Sequence, residues 1–159
     1  MATITKAHNP RVNVGATPWG NAHGLQYTLA TNAAGGAIGA DSAAAIAIAD
    51  KVRLGVIPAG VSLLDFVATI SNAFTASVTC KIGFEYVDGV DVAAVPQDDD
   101  YFAAAGTSLA TAAVIRKTTA TAPVTLPKDA WLTLVTAGAA NAEAARLDVA
   151  LFVAAEGTA

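Results

Sequence analysis

The sequence predicts an all-β fold, an antiparallel β-sandwich or jelly roll. Apolar and polar residues alternate in several stretches, as they do in strands with one buried face. Strand-like segments follow one another at intervals of about ten residues, and few segments resemble helices. A chain of 159 residues suits one domain of this kind, because domains average roughly 150 residues.

The first 40 residues predict an extended N-terminal arm, so we divide the chain into an arm at 1–40 and a sandwich domain at 41–159. Prolines and glycines are frequent here, and the run 32–39 is Asn-Ala-Ala-Gly-Gly-Ala-Ile-Gly, which is turn and loop chemistry. Short strands fit within the arm at 11–14 and 25–30. Arms of this kind commonly lie along a neighbouring molecule.

The sandwich domain begins with two strands. Alternation from Ile46 predicts a strand from Lys51 onward, while the alanines of Asp41 to Ala49 make a short helix the competing prediction for that stretch. Pro58-Ala59-Gly60 predicts a turn. A second strand follows over Val61 to Ile70, in which Leu63 and Leu64 are on opposite faces.

The clearest strand is Ser77 to Val87, where apolar and polar residues alternate without exception and Cys80 is in the inward phase. Asp88-Gly89 ends it with a hairpin-type turn. The stretch from Val90 to Asp100 contains a proline and three consecutive aspartates and predicts a loop. Later strands are predicted at Leu109 to Lys117, Pro123 to Leu126, Trp131 to Thr136 and Arg146 to Ala154.

The composition favours a protein that is buried in an assembly. Only 14% of the residues are charged and 54% are hydrophobic, whereas soluble domains average about 25% charged residues. Surfaces buried between permanently associated subunits lose charge and gain apolar area, so we expect a homo-oligomer. The net charge of −4 argues against nucleic acid as a partner. No window is long and apolar enough for a membrane-spanning helix, so we expect no membrane partner.

Metal chemistry has weak support in the sequence. His8 and His23 lie in the predicted arm and Cys80 lies in a strand, which is not the ligand spacing of a zinc site. The run Asp98 to Asp100 offers hard oxygen ligands of the kind that calcium prefers. Three adjacent acids are more often a solvated surface, and we expect no metal.

Catalytic motifs are missing from the sequence. The glycines between 35 and 39 lack the lysine and hydroxyl residue of a nucleotide-binding loop, so we expect no cofactor. No nucleophile elbow or zinc-protease motif occurs. Glu85, Glu143 and Glu156 give no carboxylate pair by sequence. Four aromatic residues suit a carbohydrate-stacking platform but more often serve as core or interface anchors: Trp19, Tyr27, Tyr101 and Trp131. We therefore predict that the protein is not an enzyme.

Three central segments resemble small structural proteins of tailed bacteriophage virions, most of all the head decoration, or cement, class. They are Asp50-Lys-Val-Arg-Leu-Gly-Val-Ile-Pro-Ala-Gly60, Lys81-Ile-Gly-Phe-Glu-Tyr-Val-Asp-Gly89 and Gln97-Asp-Asp-Asp-Tyr-Phe102. Pro123-Val-Thr-Leu-Pro127 and Trp131-Leu-Thr-Leu correspond to late strands of that class. The resemblance extends from residue 50 to residue 153, and its motifs are structural rather than chemical.

The resemblance implies a jelly-roll domain that binds the outside of the expanded capsid and clamps neighbouring major capsid protein subunits. It implies location on the capsid exterior of the virion, assembly in the host cytoplasm, and dimers or trimers at capsid symmetry axes. The arm would bind coat protein or a sister copy, with His8, Pro10, Trp19 and Tyr27 as the anchors. Two alternatives stay open: a tail- or fibre-associated module that binds a glycan or receptor, and a polymer hydrolase that uses Glu85 or Asp99.

Overall fold

The computed structural model describes residues 1–6 and 22–155. These residues form ten strands in two sheets and contain no helix, and therefore none that crosses a membrane. The strands are β1 Thr3–Thr5, β2 Ala22–Ala30, β3 Lys51–Ile57, β4 Val61–Asn72, β5 Thr79–Tyr86, β6 Asp98–Ser108, β7 Ala113–Arg116, β8 Val124–Thr125, β9 Ala130–Ala137 and β10 Arg146–Ala155. The predicted all-β sandwich is confirmed.

The strand order is that of a jelly roll. The first sheet has the order β1-β3-β9-β5-β6, and the second has the order β2-β10-β4-β7, with β8 paired to β4. The antiparallel pairs are nested: β5 with β6, β4 with β7, β3 with β9 and β2 with β10. Such nesting arises when one long hairpin rolls up into two facing sheets.

The core lies between the two sheets and follows the alternation in the sequence. Cys80, Ile82, Phe84 and Tyr86 of β5 are all buried, as the period of two predicts. The β10 residues at 147, 149, 151 and 153 are buried opposite them in the second sheet. Phe66 and Phe102 stack across the core with ring centroids 5.3 Å apart. Strand phase therefore decides which face of each sheet is apolar.

A bulge in β4 accounts for the two adjacent leucines. Pairing with β10 shifts between Phe152 and Val153, so that Leu64 has no direct partner. Leu63 is buried and Leu64 is 44% exposed, which confirms the predicted placement on opposite faces. The extra residue of a bulge turns its side chain to the same side as its neighbour, so Leu64 and Asp65 both project from the outer face of the second sheet.

The alternative helix over Asp41 to Ala49 is wrong. This stretch consists of bends and turns, with an isolated bridge between Gly36 and Ala45 and a φ of 66° at Ala49. Ile46 is buried, its N–H donates to the Gly35 carbonyl and its carbonyl accepts from Asn141. These tertiary contacts override the helix propensity of alanine, which is a weak preference.

The predicted loop from Val90 to Asp100 ends too late, because β6 starts at Asp98. Asp98 pairs with Phe84, and the next aligned pair is Ala103 with Ile82. Several β6 residues therefore bulge away from the regular ladder, and this bulge accommodates aspartates that strands ordinarily disfavour.

Both ends of the predicted arm contribute strands to the sandwich. β1 pairs in parallel with β3, and β2 pairs with β10 along its whole length. Leu25 and Leu29 of β2 are buried in the core. Residues 7–21, including the strand predicted at 11–14, lie outside the described residues. The described part of 1–40 thus has more strand than its turn-rich composition indicates, because β3 and β10 supply the hydrogen-bonding partners.

Candidate functional site

The segments that carry the resemblance meet on the outer face of the first sheet. Lys51 and Arg53 project outward from β3, and Lys81 and Glu85 project outward from β5. Asp99 reaches the same face from the bulged start of β6. We call these five side chains the ionic cluster. Strands distant in sequence contribute to it because β9 brings β3 and β5 to either side of itself.

Glu85 is the centre of the ionic cluster. Its Oε2 accepts from Lys51 Nζ at 2.5 Å and its Oε1 accepts from Arg53 Nε at 2.8 Å, while its side chain is 16% exposed. Burial opposes ionisation of this carboxyl, but the hydrogen bonds and charges of Lys51 and Arg53 outweigh it, so the pKa of Glu85 lies below its ordinary value. Arg53 also packs over the Trp131 ring, 5.4 Å from the centroid.

The acidic run lies at the other side of the cluster. Carboxylate oxygens of Asp98, Asp99 and Asp100 lie within 4.8 Å of one another. Lys81 Nζ contacts Asp99 at 2.5 Å. The hydrogen bond to Asp98, partial burial and the nearby negative charges raise the pKa of Asp100. The ammonium of Lys81 thus already neutralises part of the charge that a cation would need.

Gly83 explains how the acidic run comes so close to β5. A Cβ at position 83 would lie 2.0 Å from the Asp98 carbonyl oxygen and 2.7 Å from the Asp100 nitrogen. Only a residue without a side chain allows the two backbones this approach. The Gly-Phe-Glu step at 83–85 is therefore a packing requirement of the β5–β6 contact.

The geometry of the acids suits stabilisation rather than hydrolysis. Glu85, Asp98 and Asp99 line one shallow depression of about 320 Å³, together with Lys51 and Gln97. A general acid needs a raised pKa, whereas that of Glu85 is lowered and Asp99 is ion-paired. The depression brings the two predicted candidate acids together, each in contact with a cationic side chain.

The outer face of the second sheet is more apolar. Leu64, Val114 and Phe152 are between 44% and 62% exposed. Phe152 lies beside Gly24 of β2 on one side and Asp65 of β4 on the other. Large apolar side chains on this face are therefore in contact with solvent. Contiguous patches of such side chains are typical of interaction surfaces.

Of the four predicted anchors, three lie outside the described residues: His8, Pro10 and Trp19. The structure places Tyr27 in β2, where it is buried and its hydroxyl donates to the Val56 carbonyl at 3.0 Å. Burial raises the pKa of this hydroxyl. Tyr27 thus links the two sheets within the chain, and its contact with a partner stays a prediction.

Cys80 has the environment that its strand phase predicts. It is buried in the core, and burial raises the pKa of its thiol to about 12. A thiol of this kind is unreactive in the folded protein. The ionic cluster, by contrast, was missed at the sequence level. Alternation places Lys51, Arg53 and Glu85 in outward phases, but it does not reveal which strands are neighbours.

No family model matches this chain, and no curated protein matches it. Among solved structures, a chain from the capsid of Ralstonia phage GP4 is similar, with a TM-score of 0.64. The similarity covers 99% of this chain and 100% of that chain, at 16% sequence identity. The two chains share a fold. At an identity this low, the similarity shows a shared architecture and nothing more.

Proposed function

We propose that this protein is a non-enzymatic structural protein of a bacteriophage virion. It binds the outer surface of the capsid and cements neighbouring major capsid protein subunits. The observation that carries the proposal is the end-to-end likeness in fold to a chain from a phage capsid. The segments that resemble decoration proteins support it, because they converge on one outer face of the jelly roll.

The state of the acidic side chains supports a structural role. Lys51 and Arg53 both engage Glu85, and Lys81 engages Asp99. Catalysis by carboxylates needs one of them protonated and one free to attack or to accept a proton. An ionic cluster in which both carboxylates contact cations instead stabilises the sheet that carries it.

Cementing works through mass action. A protein that binds the mature lattice but not the open or disrupted shell stabilises the mature lattice. Modest contacts suffice because each additional contact within one shell is an intramolecular event with a high effective concentration. The low charge content of 14% suits contacts with major capsid protein and with sister copies in a homo-oligomer. Within the predicted arm, His8, Pro10, Trp19 and Tyr27 are the proposed anchors.

The single cysteine is consistent with the proposed life cycle. Cys80 is free and buried, so the fold needs no disulfide. Such a protein can fold in the reducing cytoplasm of a host and keep its structure on the exterior of a released virion.

Co-sedimentation with heads of the cognate virus stripped of this protein tests the proposal. We expect saturable binding at a simple ratio to the major capsid protein, together with greater heat resistance of the refilled heads. Heads that bind none of the protein would refute the cement role. Binding to tails instead would favour the alternative, a tail- or fibre-associated module that recognises a glycan or receptor.

A linker variant tests the arm without removing β1 or β2. Replacing residues 7–21 with a glycine-serine linker of equal length retains β1 and β2, whereas deletion of 1–40 would remove both. We expect weaker head binding with little change in the melting temperature. The control is Val90→Ala, a change at a 59% exposed residue of the 87–97 connection. Equal binding by the linker variant and this control would remove the arm from the mechanism.

A further inference from the structure

A groove of about 330 Å³ lies between the two sheets, beside the start of β6. Phe84 and Tyr101 of the first sheet and Val124 of the second form its floor. Two connections form its walls, with residues 94–97 on one side and residues 121–122 on the other. We call this groove the crease. Its volume is within the range of ligand pockets, which is roughly 300–1,000 Å³.

Tyrosine hydroxyls hold both walls of the crease. Tyr86 Oη donates to the Val95 carbonyl at 2.6 Å, and Tyr101 Oη donates to the Ala122 carbonyl at 2.7 Å. Both rings are buried, and both pack edge-on against Phe84 with centroids 6.0 and 5.5 Å away. The walls are therefore fixed before any partner binds, and a preformed groove needs little ordering when a partner docks.

The lining of the crease is mostly apolar. Besides the floor, the walls contribute Ala94, Val95, Pro96 and Ala122. Among the described residues that line it, Asp98 is the only charged one. A partner side chain in the crease would therefore contact mostly carbon atoms and one carboxylate.

Asp98 and its neighbour Asp100 have no cationic partner. Within residues 1–6 and 22–155 neither is in an ion pair, whereas Asp99 between them pairs with Lys81. The Asp100 N–H donates to Asp98 Oδ1 at 3.1 Å, and their carboxylate oxygens lie within 4.8 Å of each other. Two carboxylates this close repel each other when both are ionised, so a cation placed beside them would be favourable.

Lys117 does not supply that cation. Its ammonium lies over the Tyr101 ring, 4.2 Å from the centroid, and donates to the Thr121 carbonyl at 2.8 Å. It forms no ion pair with a described acid. Asp91, in the connection that forms the first wall, is likewise outside the ion pairs of the described chain. Three unpaired acids against one unpaired ammonium leave this end of the molecule negative.

Lysine and arginine match this combination of an apolar floor and unpaired acids. Each has an apolar stem that packs on hydrocarbon and a cationic head that stays at the surface. Cations are also attracted to the faces of aromatic rings. A neutral apolar segment would leave the acids unpaired, and an acidic segment would be repelled.

We propose that the crease receives a segment of the major capsid protein in which lysine or arginine lies next to apolar residues. The apolar side chains lie between the two walls, and the basic side chain pairs with Asp98 and Asp100. The inference rests on the proposed function for the identity of the partner. The chemistry of the segment follows from the lining and the charges of the crease.

Binding to stripped heads tests this surface with matched tryptophan variants. Ala122→Trp fills the crease, whereas Ala112→Trp places the same side chain in the 109–112 connection at the other end of β6. Both alanines are exposed, so both variants should keep the wild-type melting temperature. We expect Ala122→Trp to lose saturable head binding and Ala112→Trp to bind like the wild type. Equal binding by the two variants would overturn the proposal.

Charge variants test the pairing with a basic side chain. A double variant, Asp98→Asn with Asp100→Asn, removes the unpaired carboxylates. The control, Asp41→Asn with Glu143→Gln, also removes two charges at exposed residues that are in no ion pair of the described chain. We expect only the first to weaken head binding, roughly tenfold for two partly exposed ion pairs. An equal loss in both would show that net charge governs binding, and it would overturn the proposed contact.

A peptide titration measures the chemistry of the crease without heads. The probe is a capped pentapeptide of alternating leucine and lysine, added to the isotope-labelled full-length chain, and the control peptide has glutamate in place of lysine. We expect NMR shift changes at the backbone amides of 94–98 and 121–124 with the lysine peptide only. Shifts spread over the whole surface, or equal shifts with the glutamate peptide, would overturn the proposal.

The crease and the cement role can fail separately. Heads that bind the wild type and both tryptophan variants alike would leave the cement proposal standing and exclude the crease as its contact. Heads that bind no wild-type protein would overturn the named partner together with the cement role, even where the lysine peptide binds. If Ala122→Trp instead changes the self-association of the free chain in sedimentation velocity, a second copy occupies the crease, and the assignment to the major capsid protein is wrong.

Discussion

Replacing Glu85 by glutamine should destabilise the fold because Lys51 and Arg53 lose their anionic partner, and not because packing is lost. Glutamine has nearly the same shape, but its amide carries no charge and its NH₂ group cannot accept from the second cation. Hydrogen bonds to charged groups contribute about 1.5–3 kcal/mol each when buried, and exposed ion pairs contribute about 0–1 kcal/mol. Side-chain exposures of 16% for Glu85, 21% for Lys51 and 32% for Arg53 lie between these limits. We therefore expect a loss of about 2 kcal/mol at pH 7.

Urea unfolding measures this loss. With a slope of about 2 kcal/mol/M, the midpoint should fall by about 1 M, and the melting temperature should fall by about 4–8 °C. The pH dependence gives a second signature. Because the folded pKa of Glu85 is lowered, its contribution is present above the unfolded pKa and is lost as pH falls through the folded pKa. The difference between wild type and Glu85→Gln should be constant above about pH 5 and shrink below it.

Asp65→Asn is the matched control. Asp65 Oδ2 lies 3.8 Å from Arg116 Nη1, with side chains 48% and 71% exposed, and asparagine can still accept from Phe66 N as Asp65 does. This change should cost less than about 0.5 kcal/mol. Equal losses in the two variants, or a Glu85→Gln difference that persists unchanged at acid pH, would refute the reasoning that the half-buried cluster stabilises the sheet.

Three further predictions follow from single positions. Gly83→Ala should cost about 2 kcal/mol in urea unfolding, since its Cβ would overlap the Asp98 carbonyl. Gly24→Ala, whose Cβ would meet no described atom within 4 Å, should be neutral or slightly stabilising. Cys80 should resist a thiol reagent at pH 8 until the protein unfolds, because burial raises its pKa to about 12. Asp100→Asn should raise the melting temperature at pH 7, and the gain should disappear in acid, because a raised folded pKa means that ionisation disfavours the folded state; no change at pH 7 would contradict this account.

Strand phase was predictable because it depends on local sequence alone. The alternation over Ser77 to Val87 specifies which face of β5 is buried, and the structure agrees at Cys80 and Phe84. The start of β3 at Lys51 and the opposite placement of the adjacent leucines of β4 are confirmed for the same reason. A period of two needs no knowledge of neighbouring strands.

The failures occur where tertiary contacts override local preference. Nothing local indicates that Asp98 will pair with Phe84, because three aspartates in a row disfavour strand and the compensating glycine is fifteen residues earlier in the chain. The ionic cluster is hidden for a related reason. Its members come from three strands whose order is set by the nested pairing of the jelly roll, and composition contains no information about that order.

The pairing of this chain's cations lowers the desolvation free energy that assembly requires. Every lysine and arginine among residues 1–6 and 22–155 has a partner within the chain, either an acid or a backbone carbonyl. The six in ion pairs are Lys51, Arg53, Lys81, Arg116, Lys128 and Arg146, and Lys6 and Lys117 donate to carbonyls. Burying an unpaired charge carries a desolvation penalty that contacts rarely offset.

When a surface whose cations are already paired within the chain is covered, no lone cation has to be buried. Its affinity then depends on the apolar area that is buried and on the hydrogen bonds that form across the interface. Self-association should therefore depend only weakly on salt, because the described cations are already engaged within the chain and few of them are left to pair across an interface. Sedimentation velocity at low and high salt measures this, and a self-associated species that dissociates at high salt would show that charge pairing across the interface, rather than apolar contact, holds the copies together.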